Sequence, residues 1–267
     1  MYLIDYHTHS LLSPDSQEPL TAMAQAAVRS GLQELCVTDH YDLLDEQGKR
    51  RGPHDWASAV AQYDVVAAQA PNGFRLKLGM ELGSAHVEPS YAAELTAHPR
   101  ADFIIGSLHN WSVKQGGGDY YFTDYSTSDA CYAALDDYFC QMEALAPLSD
   151  CYDVLGHIIY PLRYTNRDGQ FPTLERYHDQ LRRILRTAVE HGRGIEVNTY
   201  RGRTVAEWQE VLALYKECGG EIVTVGSDAH RAADVAGGVR EAYALLADCG
   251  FRYVASYTRR KPEFHKL

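Results

Sequence analysis

The stretch "DYHTHSLLSPD", Asp5 to Asp15, sets two imidazoles two residues apart, His7 and His9, where the first apolar segment of the chain ends. On an extended strand that spacing turns both rings to one side. Metal-binding residue types recur after each later apolar run. "TDH" gives Asp39 and His40, "GMELG" gives Glu81, "GSLH" gives His109, "LGH" gives His157, "EVNT" gives Glu196 and Asn198, and "GSDAH" gives Asp228 and His230. Any one histidine at a strand end is ordinarily a hydrogen-bonded or exposed residue. Repetition at one strand end after another points instead to a shared centre, because polar groups gathered there without compensation cost stability. Imidazoles mixed with carboxylates suit Zn, Mn or Fe.

Those side chains converge only if the strands run side by side in one direction. Strand-like and helix-like segments alternate along the chain. Strands are expected at 2–6, 32–39, 75–82, 102–109, 152–157, 194–199 and 221–230, with a short terminal one at 252–256. Amphipathic helices are expected near 18–30, 55–70, 89–97, 128–146, 173–191, 204–218 and 232–248. Near-continuous apolar strands between such helices describe a parallel sheet covered by helices. Seven or eight units fit a closed α/β barrel better than an open doubly wound sheet. No G-x-G-x-x-G follows any strand, and the glycine-rich "KQGGGDYYF" (114–122) reads as a flexible loop. Two long connections, 41–54 and 110–127, leave strands at their C-terminal ends, where barrels build their sites. The 267 residues read as one domain, 1–267.

Composition narrows the partners. A formal net charge of −11 argues against a nucleic-acid surface. An anionic small molecule stays compatible, since bound cations reverse the local potential. The six cysteines form no C-x-x-C pair. No secretory leader and no membrane-length apolar run is expected, so the expected location is cytoplasmic and no membrane partner is expected.

The ordered set "HTH", "TDH", "GMELG", "GSLHN", "GH" and "SDAH" resembles the PHP (polymerase and histidinol phosphatase) superfamily over nearly the whole chain. "IEVNT" before "GSDAH", with the length, is most similar to the histidinol-phosphatases. The resemblance implies a distorted (β/α)7 TIM-like barrel carrying two or three divalent metal ions, with the segment at 252–256 only an edge or terminal piece. It implies that His7, His9, Glu81 and Asp228 hold one metal. Glu81, bridging, would hold a second with His109 and His157. Asp15, His40 and His230 would hold a third. Asp15 stands where many relatives have a histidine; aspartate is still an oxygen ligand, and its other reading is a turn or helix cap after Pro14.

The implied activity is hydrolysis of L-histidinol phosphate to L-histidinol and phosphate, with a hydroxide bridging two metals as nucleophile. The alternative is a phosphoesterase acting on another small phosphomonoester or a nucleotide; a metal-binding protein without turnover is a third reading. Glu81, Asp228 and His230 form the expected catalytic set, with Asp42 as proton donor. Arg163 and Arg201 are expected on the phosphate, a bidentate task for guanidinium. Glu196 and Asn198 are expected either to meet the substrate's amine or to serve as buried structural partners. Asp39 is expected to orient His40 or a neighbour. Trp111, Tyr120, Tyr121 and Phe122 are expected to cover a substrate ring or to pack their loop. His54, His86, His98, His178, His191 and His265 are given no metal role, and Cys151 and Ser227 are read as core or strand residues.

Overall fold

The computed structural model describes residues 1–45 and 47–267. Its main sheet is parallel and runs β1 (Ile4–Thr8), β2 (Glu34–Val37), β4 (Arg75–Gly83), β5 (Phe103–Ser107), β6 (Val154–Leu155), β7 (Gly194–Asn198) and β8 (Val223–Gly226). A three-residue strand, β3 (His40–Asp42), pairs with the upper half of β4. Glu34 faces Arg75 and His40 faces Glu81. The offset is the same in both pairs, so β2 and β3 are one strand broken at Thr38 and Asp39 without a change of register. His40 therefore sits on a strand and not, as expected, just beyond one.

Helices α1 (Leu20–Arg29), α2 (Trp56–Ala67), α3 (Pro89–Thr96), α4 (Ser128–Leu145), α5 (Tyr160–Arg167), α6 (His178–Glu190), α7 (Trp208–Glu217) and α8 (Val239–Asp248) complete the barrel. Capping explains two of the starts. Asp55 accepts the Ser58 amide at 3.0 Å before α2, and Thr127 accepts the Ala130 amide at 3.3 Å before α4. α5 was not expected from the sequence. It begins close behind β6, with Pro161 in its first turn, where a missing N–H costs no helix bond.

Period two decides what the barrel encloses. Along β4, Leu76, Leu78, Met80 and Leu82 share one face, while Lys77, Gly79, Glu81 and Gly83 share the other. Lys77 reaches Thr258 Oγ1 at 2.6 Å, and Ser107 donates to Glu81 Oε1 at 2.8 Å. The interior is thus polar at both ends of this strand. At the lower end Tyr6, Phe103 and Tyr257 pack together, with ring centroids 5.1 and 4.9 Å apart.

Tyr257 belongs to a hairpin of β9 (Tyr253–Thr258) and β10 (Lys261–Lys266), antiparallel and separate from the main sheet. The segment at 252–256 is accordingly a terminal element and not an eighth barrel strand. The Asp153 carboxylate accepts from Arg260 of the same hairpin at 2.5 Å, which fastens it under the barrel.

Closure is incomplete. β1 and β8 are not laddered; a single parallel bridge joins Thr8 to Ala229. Two backbone bonds flank it, Asp228 N–H to His7 O at 2.8 Å and His9 N–H to Ala229 O at 2.9 Å. Below them the buried Asp5 carboxylate accepts the Ser227 amide at 2.8 Å, the Ser227 hydroxyl at 2.6 Å and the Ala236 amide at 2.9 Å. One side chain does there what strand pairing does elsewhere. Among the described residues no helix is long and apolar enough to cross a membrane.

Candidate metal centre

Glu81 organises the mouth. It is 1% exposed, and its two oxygens face different histidines. Oε1 lies 2.7 Å from His157 Nε2 and 3.0 Å from His109 Nε2. Oε2 lies 2.8 Å from His40 Nδ1, 3.1 Å from His7 Nε2 and 3.5 Å from His9 Nε2. Asp228 Oδ1 stands 3.4 Å from His9 Nε2, 3.7 Å from His7 Nε2 and 3.6 Å from His230 Nδ1. Asp15, half exposed at the rim, reaches His230 Nε2 at 2.9 Å and His40 Nε2 at 3.5 Å. The nine residues expected to bind metal are therefore gathered at one end of the barrel.

Four of the rings have Nδ1 committed to an oxygen. His7 Nδ1 is 2.6 Å from Glu196 Oε1, and His109 Nδ1 is 2.9 Å from Asp42 Oδ1. His230 Nδ1 is 3.1 Å from the Asp228 carbonyl, and His9 Nδ1 is 3.0 Å from Ser13 Oγ. The Ser13 hydroxyl itself donates to Asp39 Oδ1 at 2.8 Å, so its oxygen accepts from His9. With the proton on Nδ1 in each case, the Nε2 lone pair is left to face the centre.

Buried polar atoms are normally satisfied. Here His7 Nε2, His9 Nε2, His40 Nδ1 and Glu81 Oε2 have no hydrogen-bond partner among the described residues, though all four crowd the same space. Electrostatics point the same way. Burial lowers the His7 pKa, yet Glu196, Glu81 and Asp228 more than reverse this and raise it well above the ordinary value. Burial raises the Asp228 pKa, but His7 and Arg163 hold it well below the carboxylate range. The pocket favours positive charge at its centre, and divalent cations would supply it while leaving the imidazoles neutral. The sets able to share an ion are His7, His9 and Glu81; Glu81, His109 and His157; His9, His40 and His230; and His40, Asp42 and His109. His54, His86, His98, His178, His191 and His265 join none of these sets among the described residues.

The backbone is strained at the rim. His157, Tyr200, Arg201 and Asp228 all have positive φ, at 21, 45, 59 and 58°. Such values in residues with a Cβ persist only where the surroundings impose them. Two glycines are required by close approach. A Cβ on Gly226 would lie 2.3 Å from His7 Cβ, and one on Gly83 would lie 1.6 Å from Asp42 Oδ1.

The geometry narrows several of the expectations. Asp42, expected as proton donor, lies against His109. Burial raises its carboxyl, but the His109 charge prevails and holds it below the ordinary value. In this position its carboxylate accepts from His109 Nδ1 at 2.9 Å and orients that ring. Glu196 and Asn198, each 1% exposed, are buried partners of the histidines and do not line the cavity. Glu196 Oε2 accepts the His157 amide at 3.0 Å, and Asn198 Nδ2 donates to Glu196 Oε1 at 3.1 Å and to Asp228 Oδ2 at 3.3 Å. Asp39 reaches His40 only through Ser13, whose Oγ accepts the His40 amide at 3.0 Å. Asp5 and Ser13 were not foreseen. Asp5, a carboxylate inside an apolar strand, was the available signal.

Arg163 projects from α5 and is nearly buried. Its Nη1 is 2.7 Å from Asp228 Oδ2, whereas its Nη2 has no partner among the described residues. The guanidinium packs over the Tyr200 ring at 4.5 Å, and Arg201 packs on the same ring at 4.4 Å with its buried Nε also unpartnered. Beside the histidines opens a cavity of about 360 Å³, walled by Asp15, His40, Asp42 and His109 on one side and by Tyr121, Phe122, Tyr160 and Tyr164 on another. Trp111 and Tyr120 pack their own loop, with centroids 5.0 Å apart.

Comparison with known proteins agrees with this arrangement. Residues 5–200 match the model of the PHP domain. The chain belongs to the PHP domain family. Beyond the PHP match lie Asp228 and His230, which the barrel nevertheless returns to the same mouth. The PHP chain is 24% identical over 276 residues to a histidinol-phosphatase of Lactococcus lactis, covering 100% of this chain and 98% of that one. It is 27% identical over 268 residues to a probable phosphatase of Photobacterium profundum, covering 98% and 92%. Among solved structures it superposes with TM-score 0.78 and 22% identity on the histidinol phosphate phosphatase of Lactococcus lactis complexed with zinc, L-histidinol and phosphate, covering 98% of both chains. That likeness gives the PHP chain its fold, a TIM-like α/β barrel.

Proposed function

We propose that this chain is a metal-dependent phosphomonoester hydrolase that cleaves L-histidinol phosphate to L-histidinol and phosphate. The carrying observation is Glu81, whose two oxygens divide the histidines into neighbouring groups, next to an Asp228 that holds an arginine with a free buried donor. His7, His9, Glu81 and Asp228 would hold one divalent cation, Glu81, His109 and His157 a second, and Asp15, His40 and His230 a third; Zn, Mn and Fe all suit these donors. When bound, paired cations supply water activated near neutral pH and neutralise charge on a phosphoryl group.

The protein's own side chains do the remainder. Glu196, Asp42 and Ser13 fix the tautomers of His7, His109 and His9. Asp228 holds Arg163 at 2.7 Å, so the unpartnered Nη2 is presented without searching rotamers. With Arg201 it would grip two phosphoryl oxygens. Tyr160 and Tyr164 in the cavity wall would exclude water from the leaving group.

All six cysteines are free thiols, which agrees with a cytoplasmic location. We take residues 1–267 as one functional domain. A second reading, hydrolysis of another small phosphomonoester, is favoured by the relative named only as a probable phosphatase. Purified enzyme loaded with Mn or Zn should release phosphate from L-histidinol phosphate far faster than from p-nitrophenyl phosphate or a nucleoside monophosphate. Equal rates would decide for the second reading, and absence of release under every metal would end both.

A further inference from the structure

The loop after β5 carries a short tongue on a buried base. Tyr120 and Tyr125 are fully buried, and the Tyr125 hydroxyl donates to the Tyr120 carbonyl at 2.9 Å, which closes a small ring of backbone. The Tyr120 hydroxyl in turn donates to Asp137 of α4 at 2.9 Å. Residues 121–124 stand out from this base, with the Tyr121 and Phe122 side chains exposed at the mouth and forming part of the cavity wall.

One side chain joins the tongue to another element. Among the described residues, the hydrogen bonds that leave 121–124 for a different helix or strand both come from Arg167, the last residue of α5. Its Nη1 donates to the Tyr121 carbonyl at 3.0 Å and its Nη2 to the Thr123 carbonyl at 3.4 Å. The guanidinium carbon lies 5.6 Å from the Tyr121 ring centroid and 5.4 Å from that of Tyr164. Asp168 holds this pose, accepting from Nε at 2.7 Å and from Nη2 at 2.9 Å, while its Oδ2 accepts the Tyr125 amide at 3.3 Å. A planar fork of donors can serve two carbonyls, a carboxylate and a ring together; an ammonium cannot. Both carbonyl bonds are open to solvent, so each adds little alone and the joint can break and re-form. Arg167 does not line the cavity. It follows Arg163 by one helical turn, so the helix that presents Arg163 also carries the anchor of the tongue.

We propose that Arg167 is a positioning residue, a latch that holds the tongue against α5 and sets how often the cavity closes over the part of the substrate behind the phosphate. This rests on the phosphatase reading above and adds to it the element that opens and shuts.

The test reads opening and kinetics separately, on metal-loaded protein. Arg167→Ala should speed hydrogen exchange at the amides of 121–124 by about fivefold or more, the factor that goes with losing one side chain's charged hydrogen bonds at a surface. KM for L-histidinol phosphate should rise by a similar factor with kcat changed less. The inhibition constant of inorganic phosphate, too short to reach the tongue, should stay at the parent's value. Arg167→Lys keeps the positive charge in the last turn of α5 but at most one of the carbonyl bonds, and should fall between. Exchange in Arg167→Ala equal to the parent's would overturn the latch. A weakened phosphate constant would also overturn it, since α5 and Arg163 would then have shifted instead. Parent-like behaviour of Arg167→Lys would assign the effect to charge at the helix end and overturn it as well. If L-histidinol phosphate is not turned over, the substrate reading fails, while the exchange rates still decide whether Arg167 holds the tongue.

Discussion

Glu196 Oε1 stands 2.6 Å from His7 Nδ1 although the two residues are 189 positions apart. The contact fixes which ring nitrogen carries the proton, and therefore which lone pair is offered to the centre of the barrel mouth. Removing the charge while keeping the shape should weaken that offer without unfolding the protein. Glu196→Gln should bind Zn about 10- to 100-fold more weakly. Competition against a fluorescent chelator measures this, and unchanged affinity would show that His7 needs no such support.

Glu81 and Arg163 should separate metal from substrate. Glu81→Ala removes the carboxylate that, alone among the described residues, meets both histidine groups, so metal content by mass spectrometry and phosphatase activity should fall together. Arg163→Ala should keep its metal and raise KM, by about tenfold or more for loss of a charged hydrogen bond. Because Arg163 also neutralises Asp228 at 2.7 Å, Arg163→Lys should recover part of the effect. KM equal to the parent's in Arg163→Ala would remove the arginine from phosphate recognition.

The seam between β1 and β8 should be a point of weakness. Asp5 accepts hydrogen bonds from Ser227 and Ala236, and an amide in its place turns a donor toward one of those donors. Asp5→Asn should lose about 2 kcal/mol or more of stability. Urea unfolding of the metal-free protein measures this, and saturating metal should restore part of the loss, since a cation held by His7, His9 and Asp228 would span the same seam.

His54 should shape the acid side of the stability profile. Its ring lies between Tyr41 and Trp56, with centroids 5.3 and 4.9 Å away, and burial lowers its pKa to about 4. The folded ring stays neutral where the unfolded chain takes up a proton. Above the ordinary histidine value it contributes no pH dependence. As pH falls from there to about 4, stability drops by up to about 1.4 kcal/mol per unit. His54→Phe keeps a ring in place and should flatten that part of the curve in unfolding measurements at pH 7, 6 and 5. An unaltered slope would mean that this imidazole titrates as in a free peptide.

The ends of the strands were legible because ligand chemistry admits few residue types, and those types interrupt apolar runs. "HTH" and "SDAH" could be read as donors before any fold was known. The partners of those donors were not legible. Nothing in the sequence says that Glu196 turns to His7, or Asp42 to His109, because each choice depends on which strands become neighbours and how they are registered. Glu196 and Asn198 were left between substrate and structure for that reason. Local signals also failed where elements are brief or lack periodicity. β3 has three residues, and in α5 the stretch Arg163, Tyr164, Thr165, Asn166 carries no apolar rhythm, so the helix that presents Arg163 went unseen.

The incomplete join of the barrel carries a consequence for the newly made chain. His7 and His9 emerge early, while Asp228 and His230 come late, and the bridge from Thr8 to Ala229 is what brings them side by side. A ribosome-bound fragment with most of its strands already paired still lacks the ring's last link, and with it the full nest of donors. Capture of a cation by the set that includes Asp228 would therefore coincide with the ring locking shut, so that tight uptake there would report that the two ends of the sheet have met.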